Sequence, residues 1–376
     1  MAGYAPADHG ATSTPSRVRP RGGSFYREEE VRKESRRGAG MTSENVACSG
    51  HETNAPWSKG GTTLATRRRR ARSRLTGLGW LGLLSLLDHW IPAFRWFALF
   101  YFAFLIKAVE LGMQVVTGIV RLLRWNRDRP PTLPQITLRR VLAYYASSLL
   151  VLLNPWILVQ ALLMTAGQVL AGSRMARWAA SPERSAVAGY TPPFTGTWTV
   201  ARGGLTPETS HSWDVPNQRY AYDFIITDDR GRSCRGDGKR LEDYYCFGRE
   251  VLAPKDGEVV SIRDGERDFP HPGTGMLDPL ARDARGNYVL IRHGPREYSL
   301  LAHLQRGSLR VRAGDLVRRG QVIGRCGNSG HSTEPHLHFH VQDHESFFLG
   351  AGLPVMFADG RFFNTGDRVC GPSPQT

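Results

Sequence analysis

Residues 327–341 read Gly-Asn-Ser-Gly-His-Ser-Thr-Glu-Pro-His-Leu-His-Phe-His-Val, a glycine-rich turn followed by a strand pattern. His336, His338 and His340 alternate with leucine, phenylalanine and valine, and alternate residues of a strand share one face. One interpretation of such a row is simply a polar strand face exposed to solvent. The turn, the Glu-Pro pair and the apolar back face favour metal binding instead, because imidazole is the commonest metal ligand near neutral pH.

The turn and strand together, Gly-Asn-Ser-Gly-x-Ser-x-x-Pro-His-Leu-His-Phe, resemble the signature of the lysostaphin (LytM-like) zinc metallopeptidases, which cut peptide cross-links in bacterial cell walls. The resemblance covers about residues 191–345, less than half of the 376-residue chain. It implies a duplicated hybrid motif fold, a bound Zn²⁺ and peptidoglycan peptides as the substrate.

An aspartate and an upstream histidine are the candidates for the other zinc ligands, since a catalytic zinc site needs about three protein ligands and one open position. Asp223 lies in the apolar strand pattern 220–226, where a carboxylate is costly unless it is paired or bound to metal. The resemblance implies His211, Asp223 and His338 as the metal ligands. His211 and Asp223 are farther apart than is usual in the family, with Asp214 between them. A loop histidine and a hydrogen-bonded aspartate are the alternative.

Two further histidines correspond to catalytic positions. His303 lies in the apolar strand pattern 298–304, and the resemblance implies that His303 and His336 act on water and on the developing oxyanion without binding the metal. One imidazole would take the proton of the water and the other would stabilise the oxyanion. Which histidine has which role is open at this point. A strand histidine bonded to the backbone is the alternative for His303.

Short strand patterns separated by turn signals surround these histidines, at residues 251–262, 287–293 and 309–324. This spacing predicts an all-β catalytic domain, a small antiparallel β-sandwich or barrel, rather than βαβ units. The run Gly-Asp-x-Val-x-x-Gly-Gln also resembles lipoyl and biotinyl carrier domains. In that alternative Lys255 would be the modified residue, and the histidine row would have no explanation.

The N-terminal part of the chain has a different composition. Residues 1–74 are rich in Gly, Ser, Thr, Pro, Arg and Glu without a hydrophobic period. Because such a segment buries too little apolar surface to offset its ordering entropy, we expect a disordered, basic cytoplasmic tail. Its arginine block at 67–74 can bind nucleic acid. Its place before apolar segments favours an anionic membrane surface instead, and we expect no nucleic-acid partner.

Residues 75–172 are predicted to form a helical transmembrane region in contact with membrane lipid. They contain two apolar zones, 78–106 and 141–163, and about 20 apolar residues cross a bilayer as a helix. Arginines between the zones favour a cytoplasmic loop. If the first zone is a bent hairpin, the second carries the following domain outside, which predicts a cell-membrane protein with an extracytoplasmic catalytic domain. Two full crossings, or core helices of a soluble domain, are the alternatives.

These expectations divide the chain into the tail (1–74), the membrane region (75–172), a linker (173–190), the β metallopeptidase domain (191–345) and a C-terminal extension (346–376). The expected activity is that of a zinc endopeptidase that hydrolyses amide bonds in peptidoglycan. No residue fixes the scissile bond, so two alternatives stay open. One is a catalytically silent member that binds the wall or regulates a hydrolase, and the other is a protease of a non-wall peptide.

The cysteines give a further expectation about the β domain. Cys234 and Cys246 bracket a polar loop, and an oxidising exterior would permit a disulfide between them. Pairing cannot be deduced from the sequence. The chain has no Cys-x-x-Cys pair, which argues against a zinc site made of cysteines.

Overall fold

The structure, a computed structural model, describes residues 116, 119, 120, 126–151, 153–179 and 181–373. The expected tail (1–74) and the first apolar zone (78–106) lie outside the described residues. Thirteen strands are the main regular structure of the described chain, in agreement with the predicted all-β domain.

Two α-helices lie within the described residues before the strands: α1 (Leu138–Val151) and α2 (Pro155–Ala179). Asn154 begins α2, because its Oδ1 accepts a hydrogen bond from Trp156 N at 3.0 Å and Pro155 occupies the first helical position. The apolar zone 141–163 is therefore divided between two helices. Among the described residues, the helix long and apolar enough to cross a membrane covers Pro155–Gly172, and 17% of that window is buried.

The strands form one large and two small sheets. Eight strands follow the order β13-β2-β3-β10-β7-β6-β5-β8, with β11 paired to β10, while β1 pairs with β12 and β4 with β9. All pairings are antiparallel except β1 with β12. The bounds are β1 (Val187–Tyr190), β2 (Thr197–Arg202), β3 (Tyr222–Ile225), β4 (Glu250–Leu252), β5 (Gly257–Arg263), β6 (Asn287–Gly294), β7 (Glu297–Leu304), β8 (Leu316–Val317), β9 (Val322–Arg325), β10 (Leu337–Gln342), β11 (Gly352–Leu353), β12 (Val355–Phe357) and β13 (Arg368–Cys370).

The main core lies against one face of the large sheet. The apolar set of the histidine strand, Leu337, Phe339 and Val341, is fully buried there. Side chains of the small sheets, such as Ile323 of β9 and Phe357 of β12, belong to the same cluster. The predicted alternation in β10 thus separates a packed back face from a histidine face.

The sheet extends beyond the predicted boundaries at both ends. Strand β1 lies inside the expected linker (173–190), and β11, β12 and β13 lie inside the expected C-terminal extension (346–376). The extension completes the fold, because β12 pairs with β1 and β13 pairs with β2. These strands have two to four residues each, and partners distant in sequence leave no local signal of their pairing.

The structure also bears on the possible disulfide between Cys234 and Cys246 and on the carrier-domain alternative for Lys255. Cys234 and Cys246 are free thiols, and the Cys246 Sγ donates to Pro335 O at 3.1 Å, so the permitted disulfide does not form. Lys255 Nζ donates to Glu297 Oε1 at 2.8 Å and to Ala188 O at 3.3 Å. A lysine held by two partners is unlike the free hairpin tip that a carrier domain needs.

Candidate active site

Three candidate ligands meet where β3 and β10 pair. His338 lies opposite Asp223 in the antiparallel register, and its Nδ1 is 2.9 Å from Asp223 Oδ1. His211, from the loop between β2 and β3, places its Nδ1 3.4 Å from Asp223 Oδ2. One ligand atom from each of the three residues lies within 4.8 Å of the other two. The intervening Asp214 is not part of this cluster.

The loop that carries His211 is held by side-chain contacts of its own. Ser210 Oγ donates to Arg219 O at 2.8 Å and accepts from Ser212 N at 3.2 Å, which closes the loop on both sides of His211. Arg219 Nε donates to Trp213 O at 2.9 Å, with its guanidinium 4.7 Å from the centre of that indole ring. These bonds bring His211 back over β3 despite the wide separation in sequence.

A β-bulge turns His303 toward the same centre. In the β6–β7 register Asn287 faces Leu304 and Val289 faces Leu301, so two residues of β7 stand opposite one residue of β6. His303 is one of the two and has φ of +61°, a left-handed conformation that is uncommon for a non-glycine residue. Simple alternation along β7 would send this side chain to the opposite face, so the bulge is what brings it to the site.

The proton positions of His303 and His336 follow from their backbone partners. His303 Nδ1 is 2.8 Å from Ser329 O, and His336 Nδ1 is 2.8 Å from Glu334 O. A carbonyl only accepts, so each Nδ1 carries a hydrogen and each neutral ring has its lone pair on Nε2. The two ring centres are 4.8 Å apart, and His336 Nε2 lies 3.7 Å from Asp223 Oδ1. Both Nε2 atoms are thus available for proton transfer.

The electrostatics of the site favour neutral rings at His211 and His303 and an ionised carboxylate at Asp223. Burial raises the pKa of Asp223, but the neighbouring imidazoles of His211 and His336 outweigh burial and hold it below the ordinary value. Partial desolvation lowers the pKa of His211 to about 4, against the opposing effect of Asp223. Burial and the nearby His336 hold the pKa of His303 well below the ordinary value. Neutral imidazole and ionised carboxylate are the forms that bind metal.

The donor set fits a catalytic zinc ion. Two imidazole nitrogens and one carboxylate oxygen are a common set of protein ligands for catalytic zinc, which keeps a fourth position open. The set is open on one side, since the side chains of His211 and Asp223 are 29% and 14% exposed while that of His338 is 6% exposed. Solvent and substrate can therefore approach from the side of His211.

The third histidine of the row is also part of the site. His340 is 1% exposed, and its Nδ1 lies 2.9 Å from His338 Nε2. The alternative of a solvated strand face therefore fails for this residue. Sequence reasoning did not find the part played by Ser329, whose carbonyl binds His303. Its place in the glycine-rich turn before the row was the available signal.

Part of this chain matches a known protein family. Residues 242–348 match the model of peptidase family M23, a segment that contains His303, His336 and His338 and excludes His211 and Asp223. This match confirms the resemblance to lysostaphin-type peptidases.

Two relatives extend the comparison. The peptidoglycan DD-endopeptidase ShyC of Vibrio cholerae is 46% identical over 159 residues, which cover 37% of this chain and 35% of the relative. An uncharacterized metalloprotease of Haemophilus influenzae is 39% identical over 107 residues, which cover 27% of this chain and 22% of the relative. The chain thus spans about a third or less of either relative.

A solved structure that matches part of the chain is the catalytic domain of the antimicrobial peptidase lysostaphin from Staphylococcus simulans. It is 20% identical, with a TM-score of 0.24, and the match covers 44% of this chain and 84% of that domain.

Proposed function

Because residues 242–348 form a domain of peptidase family M23, we propose that this protein is a membrane-anchored zinc endopeptidase that hydrolyses amide bonds in peptidoglycan peptides. The observation that carries the proposal is the convergence of His211, Asp223 and His338 within 4.8 Å, beside two imidazoles that present Nε2. Three ligands with an open fourth position are what hydrolytic zinc needs.

The chemistry divides between the metal ligands and the two flanking histidines. When bound, zinc supplies Lewis acidity toward water and toward the scissile carbonyl. His303 and His336, with their protons fixed on Nδ1 by backbone carbonyls, each offer Nε2 to take a proton from water or to return one to the leaving amine. A protonated imidazole at either position would also stabilise the tetrahedral oxyanion. The two histidines are proposed to share these roles.

Peptidoglycan is the substrate that the named relatives favour. Those named as peptidoglycan DD-endopeptidases, from Vibrio cholerae, match this chain at 34% to 46% identity over their aligned segments. We extend that substrate class, and no finer choice of bond, to this chain. Electrostatic attraction to an anionic polymer is consistent with the arginines late in the β domain, at 306, 310, 312, 318 and 319.

Membrane attachment is proposed from α2 and from the apolar sequence before it. The window Pro155–Gly172 is long and apolar enough to cross a bilayer, and Trp156, Val169 and Leu170 expose 60% or more of their surface. Because Asn154 and Arg174, at the two ends of this window, both contact the β domain, α2 is proposed to lie along the membrane surface with these exposed side chains in lipid, rather than to cross it. The crossing that would place the catalytic domain outside the cell, where the wall peptides are, is assigned in this proposal to the apolar sequence before α2.

The test uses the purified full chain, loaded with zinc, and isolated peptidoglycan. The expected result is release of free amines and loss of cross-linked fragments by mass spectrometry, abolished by a chelator and restored by zinc. His338→Ala is the matched inactive control. Zinc binding without cleavage of peptidoglycan would favour the alternative of a non-wall peptide substrate if other peptides are cut. It would favour a silent, wall-binding member if none is cut.

A further inference from the structure

A hydrogen-bonded row continues from His338 away from the ligand cluster. His338 Nε2 lies 2.9 Å from His340 Nδ1, and His340 Nε2 lies 3.0 Å from Gln342 Oε1. Gln342 Nε2 in turn donates to His344 O at 2.6 Å and to Glu345 O at 3.4 Å. These side chains lie at alternate positions of β10 and so share one face of the strand. His338, His340 and Gln342 are 4%, 1% and 0% exposed.

The far end of the row sets the direction of every hydrogen bond in it. Two carbonyl oxygens face one end of the Gln342 amide, so that end must be the NH₂ group and the other end must be the oxygen. An amide oxygen only accepts, so His340 must donate from Nε2. A neutral imidazole has a single N–H, so its Nδ1 is bare and can only accept.

The same reasoning reaches the metal ligand. Because His340 Nδ1 accepts, His338 must carry a hydrogen on Nε2. The other ring nitrogen, Nδ1, is the atom that points into the ligand cluster. Nδ1 faces the Asp223 carboxylate at 2.9 Å, so a hydrogen on Nδ1 would be the one given up to bind zinc, while the hydrogen on Nε2 is held by the row.

We propose that His340 and Gln342 are positioning residues that fix the tautomer and ring orientation of His338 so that its Nδ1 binds the metal. The row is shielded from solvent, because its three residues are at most 4% exposed, so loss of one partner leaves a buried polar group unpaired. If His340 carried its hydrogen on Nδ1 instead, it would donate toward His338, and His338 Nε2 would have no acceptor for a hydrogen of its own. The inference rests on the proposed zinc site and adds the residues that orient its most buried ligand.

Zinc affinity tests the proposal in the full chain, by competition with a chelating dye. His340→Phe keeps a ring but removes the acceptor, and we expect zinc binding weakened about 10- to 100-fold. His340→Gln restores an acceptor oxygen and is expected to recover most of that loss. Gln342→Met should weaken binding in the same sense, whereas Gln321→Met, a control on the exposed turn before β9, should not. Equal affinities for His340→Phe and His340→Gln would overturn the proposal.

A second measurement is independent of zinc. In ¹⁵N NMR spectra of histidine-labelled full chain, His340 should show a protonated Nε2 and a bare Nδ1, both without metal and with zinc. Gln342→Met should lose this preference, and a role in packing alone would not change it. A protonated Nδ1 on His340 in the unaltered protein would contradict the proposed direction. If the protein binds no zinc while His340 keeps the expected tautomer, the proposed function fails and the direction of the row stands.

Discussion

Among single residues, local pattern predicted most of the cluster. The alternation in 336–340 identified a histidine face, and the apolar neighbours of Asp223 marked that carboxylate as paired or metal-bound. The direction of the bonds behind His338 was not predictable, because it depends on how the buried Gln342 amide meets two carbonyls. Local sequence does not encode the rotamers that bring those groups together.

The separation of roles between ligand and catalytic histidines is a first prediction. His338→Ala removes a ligand, so the purified variant should contain little zinc and show no activity. His303→Ala leaves the three ligands in place, so it should keep zinc and lose turnover by about 10²- to 10⁴-fold, the usual contribution of general acid–base catalysis. Metal analysis and amine release on the two variants check this. Loss of zinc from both would contradict the assignment.

The burial of His340 predicts an acid-sensitive stability of the zinc-free protein. Burial, and to a smaller extent the neighbouring His338, lower the pKa of His340 to about 3. In the unfolded chain this histidine takes up a proton near pH 6.5, whereas in the folded chain it stays neutral down to about pH 3. The free energy of unfolding is therefore unaffected by this group above pH 6.5 and decreases as the pH falls from 6.5 toward 3. This one histidine contributes about 1.4 kcal/mol per pH unit within that window.

The His340→Gln variant has no group that takes up a proton on unfolding at this position. Its free energy of unfolding should therefore fall less steeply as the pH is lowered from about 6 to about 4. Urea unfolding at several pH values measures both slopes. His344→Gln, at an exposed position beyond the end of β10, should keep the slope of the unaltered protein. Parallel slopes for His340→Gln and the unaltered protein would show that His340 is not buried as a neutral ring.

Among the elements of the fold, the bulge in β7 and the glycine turn 327–330 act together. The bulge brings His303 to the histidine face, and the turn supplies Ser329 O to its Nδ1. Ser329 Oγ also donates to Leu304 O at 2.7 Å and accepts from Asn287 N at 2.9 Å, which locks the turn onto β6 and β7. The sequence predicted each strand but not the bulge, since two residues facing one is a property of the pairing.

Gly286 tests how closely the turn must approach β6. Its φ is +67°, and a Cβ there would collide with the backbone carbonyl group of Ser329. Gly286→Ala should therefore displace the carbonyl that holds His303, and lower kcat about 10- to 100-fold with zinc retained, because catalysis is sensitive to shifts near 1 Å. Steady-state kinetics and metal analysis measure both quantities.

Gly307→Ala is the matched control for that substitution. Gly307 has φ of +69°, but a Cβ added there would meet no atom within 4 Å. It should lose about 1–2 kcal/mol of stability through backbone strain and keep its kcat. If both variants lose kcat equally, strain alone rather than the contact with Ser329 would explain the effect of Gly286→Ala.

Across the described chain as a whole, segments from both ends complete the β domain. The start of α2 contacts it through Asn154, whose Nδ2 donates to Ala281 O at 2.7 Å, and its later turns through Arg174, whose Nε donates to Asp343 Oδ2 at 2.8 Å. Strands β12 and β13 close the sheet from the C-terminal side. Sequence patterns set the boundaries at 190 and 345 because contacts between distant segments have no local signature.

The Asp343 carboxylate should be the strongest polar link between α2 and the β domain. Its side chain is 2% exposed, and it also accepts from Arg296 at 2.7 Å and from Ala351 N at 2.8 Å. Asp343→Asn leaves its cationic partners without their counter-charge, which should lower the free energy of unfolding by about 3–5 kcal/mol. The exposed pair of Arg361 and Asp359 provides the control, since Asp359→Asn should cost less than about 1 kcal/mol. Similar losses for the two variants would mean that α2 is not held through Asp343.

X-ray absorption at the zinc edge of the purified full chain is the sharpest test of the proposed metal site, because it reports the ligands themselves. We expect one zinc per chain, bound by nitrogen and oxygen at about 2.0–2.2 Å with the signal of two imidazoles. His211→Ala should reduce that signal to one imidazole or abolish binding. Absence of zinc, or a sulfur ligand at about 2.3 Å, would contradict the site built from His211, Asp223 and His338.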